Sequence, residues 1–235
     1  MAILNRYDYI LSALPALEPI GSIPPISKID FINMISGDKN LVSVVEMILL
    51  NDDLTQYEAF LSGETDKDKL DLAVISFESN ESKPVLPDFL LYEEQKHDKS
   101  QDHLASDNLW ARYFTHAAEV AKYKSKFLKA WIGFEVGLRN ALTAARALTL
   151  NLDPNPYLVC QDLAYYEGDY NNIISAWNAA PNPLLAMEIL DKTRWDWLEE
   201  HGAMYSFTAD EIEVYAAKLA LLHHWRRILS GSEKK

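Results

Sequence analysis

The side chains of this chain that could do chemistry are six histidines, one cysteine and a few carboxylate pairs. His97 and His103 stand among polar residues with Asp98 and Asp102, and these four could be drawn as a metal site. Their spacing matches no zinc-ligand pattern, so solvated loop residues are the simpler reading. His223 and His224 are adjacent near the end of a helical stretch and point in different directions, so they do not act together as simple ligands. His116 has only Glu119 at a suitable spacing. Cys160 follows an apolar run and reads as a small packed hydrophobe rather than a nucleophile. Asp52-Asp53 and Glu199-Glu200 are consecutive, so neither pair faces itself on a helix as an acid and base would. Trp195, Trp197 and Tyr205 could line a pocket, though a helical core or partner surface is the simpler account of them. Neither G-x-x-x-x-G-K-[ST] nor G-x-G-x-x-G occurs, and H-E-x-x-H and C-x-x-C are also missing. The expectation is a protein that is no enzyme, with no cofactor and no metal.

Arginine is the more telling residue. Arg139 and Arg146 lie one heptad apart in "WIGFEVGLRNALTAARAL", a stretch otherwise mostly apolar or small. Glu135 precedes Arg139 by four residues in the favourable order, so a pair within the helix is expected for Arg139. Arg146 has no such neighbour and is expected to face water or to meet an acid from another element or chain. Arg226 and Arg227, at the end of the last helix, are in the same position. All four are candidate partner-binding residues. Gly133 and Gly137 add a small-residue spacing that permits close helix approach.

The elements that must hold these residues read as helices. Ser27 is a candidate N-cap and Gly37 a stop for "SKIDFINMISG". "NLVSVVEMILLNDDLTQYEAFLSG" reads as two helices broken near Asn51-Asp52-Asp53. "DKDKLDLAVISFES" is ambiguous and is assigned to helix from its neighbours. From residue 107 to 150 apolar or small side chains recur every three and four positions, with only Lys124 out of step. This predicts one long helix of roughly 60 Å. Pro154 and Pro156 end it. Asp153-Pro154 and Asn182-Pro183 are helix-start signals, and Thr208 with Glu211 has capping-box spacing. The expected class is all-α, an elongated helical bundle. The expected organisation is an N-terminal helical region over 1–78, a polar linker over 79–106 and a C-terminal helical region over 107–235.

Composition narrows the setting. The chain has 235 residues and a net charge of -13, with about half its residues apolar. A single cysteine fits a reducing compartment, and no apolar run reaches membrane-span length. "YILSALPAL" mimics a signal peptide only faintly, since Asp8 interrupts it. A cytoplasmic protein is expected. Acidity disfavours nucleic acid and anionic membrane. The charge is uneven, however: residues 111–150 hold seven Lys/Arg against two Glu. Such a segment suits an acidic partner or the chain's own acidic half.

The stretch "FEVGLRNALTAARALTLNLDP" resembles the recurring helix of the spacer subunit, known as C or d, of V-type and A-type rotary ATPases. Glu135, Leu138-Arg139-Asn140, Leu142 and Arg146 carry the likeness. "FTADEIEVYAAKLALLHHWRRIL" resembles that family's closing helix through Trp225, Arg226 and Ile228, with His223-His224 where an acidic element is expected. "NRYDYILSALPAL" resembles the opening of the same spacer. It also resembles the opening of a bacterial family of unknown function encoded with V-type ATPase subunits, which is the nearer likeness. The resemblance implies a funnel-shaped helical spacer that binds no nucleotide. It implies partners in the central stalk and membrane rotor ring, and a cytoplasmic place at the membrane through those partners, with ion transport coupled to ATP. An independent helical adaptor is the alternative. An enzyme with a helical pocket and a nucleic-acid binder on residues 111–150 are the remaining classes.

Overall fold

A computed structural model describes residues 6–77, 84–91, 105–164, 169–202 and 205–232. The described residues form eight α-helices packed as a bundle, as the all-α expectation has it. They are α1 (Arg6–Ala13), α2 (Lys28–Ile35), α3 (Lys39–Leu61), α4 (Ala105–Lys124), α5 (Lys126–Thr149), α6 (Tyr170–Ala179), α7 (Pro183–His201) and α8 (Ala209–Ser232). The described strands are two residues each, β1 (Ser76–Phe77) and β2 (Pro84–Val85), antiparallel with Ser76 opposite Val85. No helix among the described residues is long and apolar enough to cross a membrane.

Packing divides the chain into two units, Met1–Val85 with Arg194–Lys235, and Leu86–Thr193. This differs from the expected split into 1–78 and 107–235. The last helix belongs with the first third of the sequence, because α8 completes the apolar face of α3. In that unit α3 packs on α8 and on α2. Phe31, Val45, Leu49, Leu54, Ile212, Leu219 and Leu222 are fully buried there. The Phe31 and Tyr215 rings lie 5.3 Å apart, and the Tyr215 hydroxyl donates to the Pro15 carbonyl at 2.9 Å. Burial pushes the Tyr215 hydroxyl up to about 12.

Local signals act as expected at several helix ends. Ser27 accepts from the Asp30 N–H at 3.0 Å, and Asn182 accepts from the Leu185 N–H at 2.9 Å. Glu211 turns back at the start of α8, but it takes the N–H groups of Tyr205 and Phe207. Both residues have positive φ, at 58° and 53°. The Asp153-Pro154 signal begins only a single 3-10 turn, Asn155–Tyr157.

Three expectations are overturned. First, α3 runs unbroken through Asn51-Asp52-Asp53. Aspartates break helices by bonding nearby backbone, and these two are bound elsewhere. Second, residues 70–75 are not helical; a 3-10 turn at Lys67–Lys69 leads into an irregular segment and then β1. Asp53 Oδ2 there accepts the consecutive N–H groups of Ala73, Val74 and Ile75 at 2.8, 2.7 and 3.0 Å. Those donors are therefore satisfied without a helix.

Third, the long helix over 107–150 is two helices that fold back on each other. Ser125 leaves helical geometry at φ -151° and ψ 123°, and its hydroxyl caps α5 by accepting from the Leu128 N–H at 2.8 Å. In an unbroken helix Asp107 and Arg139 would stand about 48 Å apart. Here their side chains meet at 3.4 Å. Lys124, the one residue out of step with the apolar seam, immediately precedes the corner. The core of this hairpin holds Trp110, Tyr113, Phe114, Leu128, Trp131, Ile132 and Leu138. Of the two glycines at small-residue spacing, Gly137 is where α6 comes close. A Cβ there would lie 2.5 Å from the Tyr170 ring carbon Cζ, whose hydroxyl donates to the Phe134 carbonyl.

Candidate functional site

The densest polar constellation among the described residues sits inside the first unit. It is built on residues that would normally be apolar. Lys28 falls on the buried stripe of α2 with Phe31 and Ile35. Asp52, Asp53 and Gln56 fall on the buried face of α3. Lys28 Nζ donates to Asp52 Oδ2 at 2.8 Å, to Asp53 Oδ1 at 3.2 Å and to the Asp71 carbonyl. The three donors of the ammonium thus have three acceptors, and its side chain is fully buried. Gln56 reads the Asp71 backbone in both directions, donating to its carbonyl at 2.9 Å and accepting its N–H at 2.7 Å.

Helix α8 closes the constellation with its last three turns. Arg227 reaches Asp52 through one amino group and Asp71 Oδ2 through the other, the latter at 3.4 Å. His223 sets Nδ1 against Asp71 Oδ2 at 2.7 Å and Nε2 against the Ile26 carbonyl at 2.9 Å. The ring thus lies between the Asp71 carboxylate and the Ile26 carbonyl and ties α8 to both. His224 lies across from Asp52, Nδ1 to Oδ1 3.6 Å.

The electrostatics follow from this geometry. Burial pushes the Asp52 carboxyl up, but Lys28, Arg227 and His224 together outweigh it and hold it well below the usual range. Asp71 is also lowered: burial opposes this, and the bond from His223 and the charge of Lys28 prevail. Burial pulls the Lys28 ammonium down, and Asp52, Asp53 and Asp71 more than reverse it, leaving it raised. Lys28 is therefore held as an ammonium with every donor engaged, so it has no lone pair to offer as an amine nucleophile. Among the described residues no cluster of three or more His, Cys, Asp or Glu could hold a metal ion. What the arrangement does chemically is clasp. It joins α2, α3, the 71–75 segment and α8 through charge-assisted bonds.

The four arginines singled out in the sequence have different fates. Arg227 is part of the clasp. Arg139 pairs with Asp107 at 3.4 Å, and its guanidinium lies 4.6 Å from the Trp110 ring centre. The Arg146 guanidinium lies 5.3 Å from the centre of the Trp177 ring of α6. Arg226 is exposed. Asn140, next to Arg139, holds the Val159 backbone by a pair of bonds at 2.8 and 3.0 Å.

The other candidates are also placed. His116 stacks on Phe89 with ring centres 3.9 Å apart. The Cys160 thiol is pushed up by burial and donates to the Ala111 carbonyl at 3.4 Å. Trp195 carries Lys218 over its ring, and Trp197 stacks on His201. His97, Asp98, Asp102 and His103 lie outside the described residues.

Lys28 and Asp71 are absent from any sequence motif, and Asp52-Asp53 looked unable to cooperate. They cooperate because one ammonium is compact enough to be shared by adjacent carboxylates. The sequence signal is charge on an apolar stripe: Lys28 at the spacing of Phe31 and Ile35, and Asp52 four residues from both Ile48 and Gln56. Asp71 gives no such signal, since it lies in irregular chain.

A family model described as a protein of unknown function, DUF2764, matches residues 50–167, half of the chain. The match takes in Asp52, Asp53 and Asp71 and the α4–α5 hairpin, and leaves Lys28, His223 and Arg227 outside it. No curated protein and no solved structure matches the chain. The chain belongs to the DUF2764 family of proteins of unknown function.

Proposed function

We propose that this protein is a non-catalytic subunit or accessory protein of a V-type rotary ATPase, a helical spacer between the central stalk and the membrane rotor ring. The likeness of residues 134–154 and 207–229 to the rotary-ATPase spacer carries the reading. These stretches include much of α5 and α8, helices that supply the core of one unit each. The clasp adds support, because its charges are spent on fixing helices to one another, as a load-bearing spacer requires. Arg139 and Arg227 brace the fold from within. Arg146 and Arg226, the two exposed members of the set, are the ones available to meet a partner in the stalk or ring.

The test is affinity capture of the tagged protein from its own cell membranes, with mass spectrometry of what accompanies it. Stalk and ring subunits in stoichiometric yield support the reading. Their absence, where the ATPase itself stays intact, removes it and leaves an independent helical adaptor. Arg226→Glu is expected to reduce recovery of those subunits at least severalfold with no change in the thermal melt, since the residue is exposed; unchanged recovery removes Arg226 from the interface.

A further inference from the structure

Helix α5 ends on leucines where polar residues would serve. Leu148, Leu150 and Leu152 are 66%, 67% and 45% exposed. The way the chain leaves the helix keeps them close together. The N–H groups of Leu150, Asn151 and Leu152 bond back to the carbonyls of Arg146, Leu148 and Ala147 at 3.2, 3.1 and 2.9 Å. Asn151 takes the left-handed conformation at φ 57°, the helix stop that glycine or asparagine supplies. That stop accounts for Leu152, because the residue after the left-handed one commonly packs on the last turn. It does not account for Leu148 and Leu150, which keep most of their surface in water. Charge frames the leucines. Arg146 and Asp153, both exposed, flank them in sequence, and no other Lys, Arg, Asp or Glu occurs between Arg139 and Asp162. Arg146 lies beside the Trp177 ring, and Asp153 Oδ1 accepts from the Asn155 N–H and side-chain amide at 3.1 and 2.8 Å.

We propose that this end of α5 is a self-association surface, occupied by the same stretch of a second copy of the chain. Charge complementarity chooses the occupant. In a two-fold contact residue i meets j and j meets i. With the axis at Leu150, Leu148 meets the partner's Leu152, and Arg146 meets the partner's Asp153, twice over. A stretch with leucines at its centre and opposite charges at its ends satisfies itself when reversed. A segment that is only acidic or only basic leaves one of the two ends facing a like charge. The net charge of -13 on each copy opposes association. At physiological ionic strength that repulsion is screened over roughly 8 Å, whereas the leucines and ion pairs act at contact. Residues 146–153 are fewer than the roughly 20–30 a side of a standard-sized interface, so the dimer is weak and reversible, half formed at on the order of 100 μM. The inference goes beyond the ATPase reading: it gives Arg146 to a second copy and leaves Arg226 to the stalk or ring, so a different residue tests each.

Sedimentation equilibrium of the full-length protein from about 5 μM to about 500 μM reads the dimer directly. Wild type moves from monomer toward dimer across that range. Leu150→Lys, which sets two like charges on the axis, weakens dimerisation by about tenfold or more. Asp153→Arg and Arg146→Asp each weaken it severalfold. The double variant Arg146→Asp/Asp153→Arg restores most of it, since the exchanged charges meet again. Arg226→Glu leaves it unchanged. Thermal melts of the same proteins separate a folding loss from a lost contact, and Leu150→Lys and Asp153→Arg, at exposed positions, are expected to melt as wild type does. A wild type that stays monomeric to about 500 μM overturns the proposal. So does dimerisation by Leu150→Lys as strong as that of wild type, or a double variant no better than either single one.

Discussion

Lys28 shows why a buried ion pair is better described as a commitment than as a source of stability. Replacing a whole buried ionic cluster with apolar side chains is often neutral or stabilising, whereas removing one member strands the others. Lys28→Met leaves Asp52 and Asp53 buried without their ammonium. A loss of about 3–5 kcal/mol is expected in urea unfolding. Adding Asp52→Asn to that variant is expected to cost less than the separate effects combined, since the two share one interaction. Additive losses would show that they do not act together. Asp52 also sets a pH signature. Its folded value lies below the unfolded 3.8, so ionised Asp52 contributes stability above that value and loses it as pH falls through the folded one. The stability gap between wild type and Asp52→Asn is expected to narrow as pH falls below about 4. A gap that keeps its full size as pH falls from about 4 to about 2 would assign the effect to another group.

Among the elements, the α4–α5 corner and the α5–α6 contact show how few residues decide a helix's course. The apolar seam runs past residue 124 with almost no interruption, yet one serine turns the chain. Ser125 gains the cap on α5, and folding back lets Trp110, Tyr113 and Phe114 bury against α5 rather than remain in water. Tyr170 of α6 lies over Gly137 so closely that any side chain displaces it. Gly137→Ala is expected to cost about 1–3 kcal/mol by overpacking and to lower the melting temperature. A variant as stable as wild type would mean that α6 shifts without cost.

For the whole molecule, the clasp makes one unit discontinuous in sequence. Residues 1–85 have no complete core until α8 arrives from the other end of the chain. A truncation after residue 208 removes the partner of α3, along with His223 and Arg227. It exposes Val45, Leu49 and Leu54, so the shortened chain is expected to lose helical signal beyond that of α8 itself and to aggregate. A soluble truncated protein retaining the α3 signal would show that the unit is built from residues 1–85 alone.

The sequence by itself determined the helical class, the caps at Ser27 and Asn182, the start of α8 near Thr208 and the heptad burial of Tyr113, Trp131 and Leu138. Each depends on neighbours within a turn or two, where spacing and side-chain chemistry suffice. Only the tertiary structure decided that α3 is unbroken, that residues 70–75 leave the helix, and that α4 and α5 are a hairpin. It alone joined Lys28, Asp52, Asp71 and Arg227 from opposite ends of the chain. Local pattern treats an aspartate pair as a helix breaker and a lone lysine as solvated. Both readings reverse once distant segments bring the opposite charge and exclude water. Arg146 makes the same point: its partner is an aromatic ring on the next helix, a contact that no helical spacing encodes.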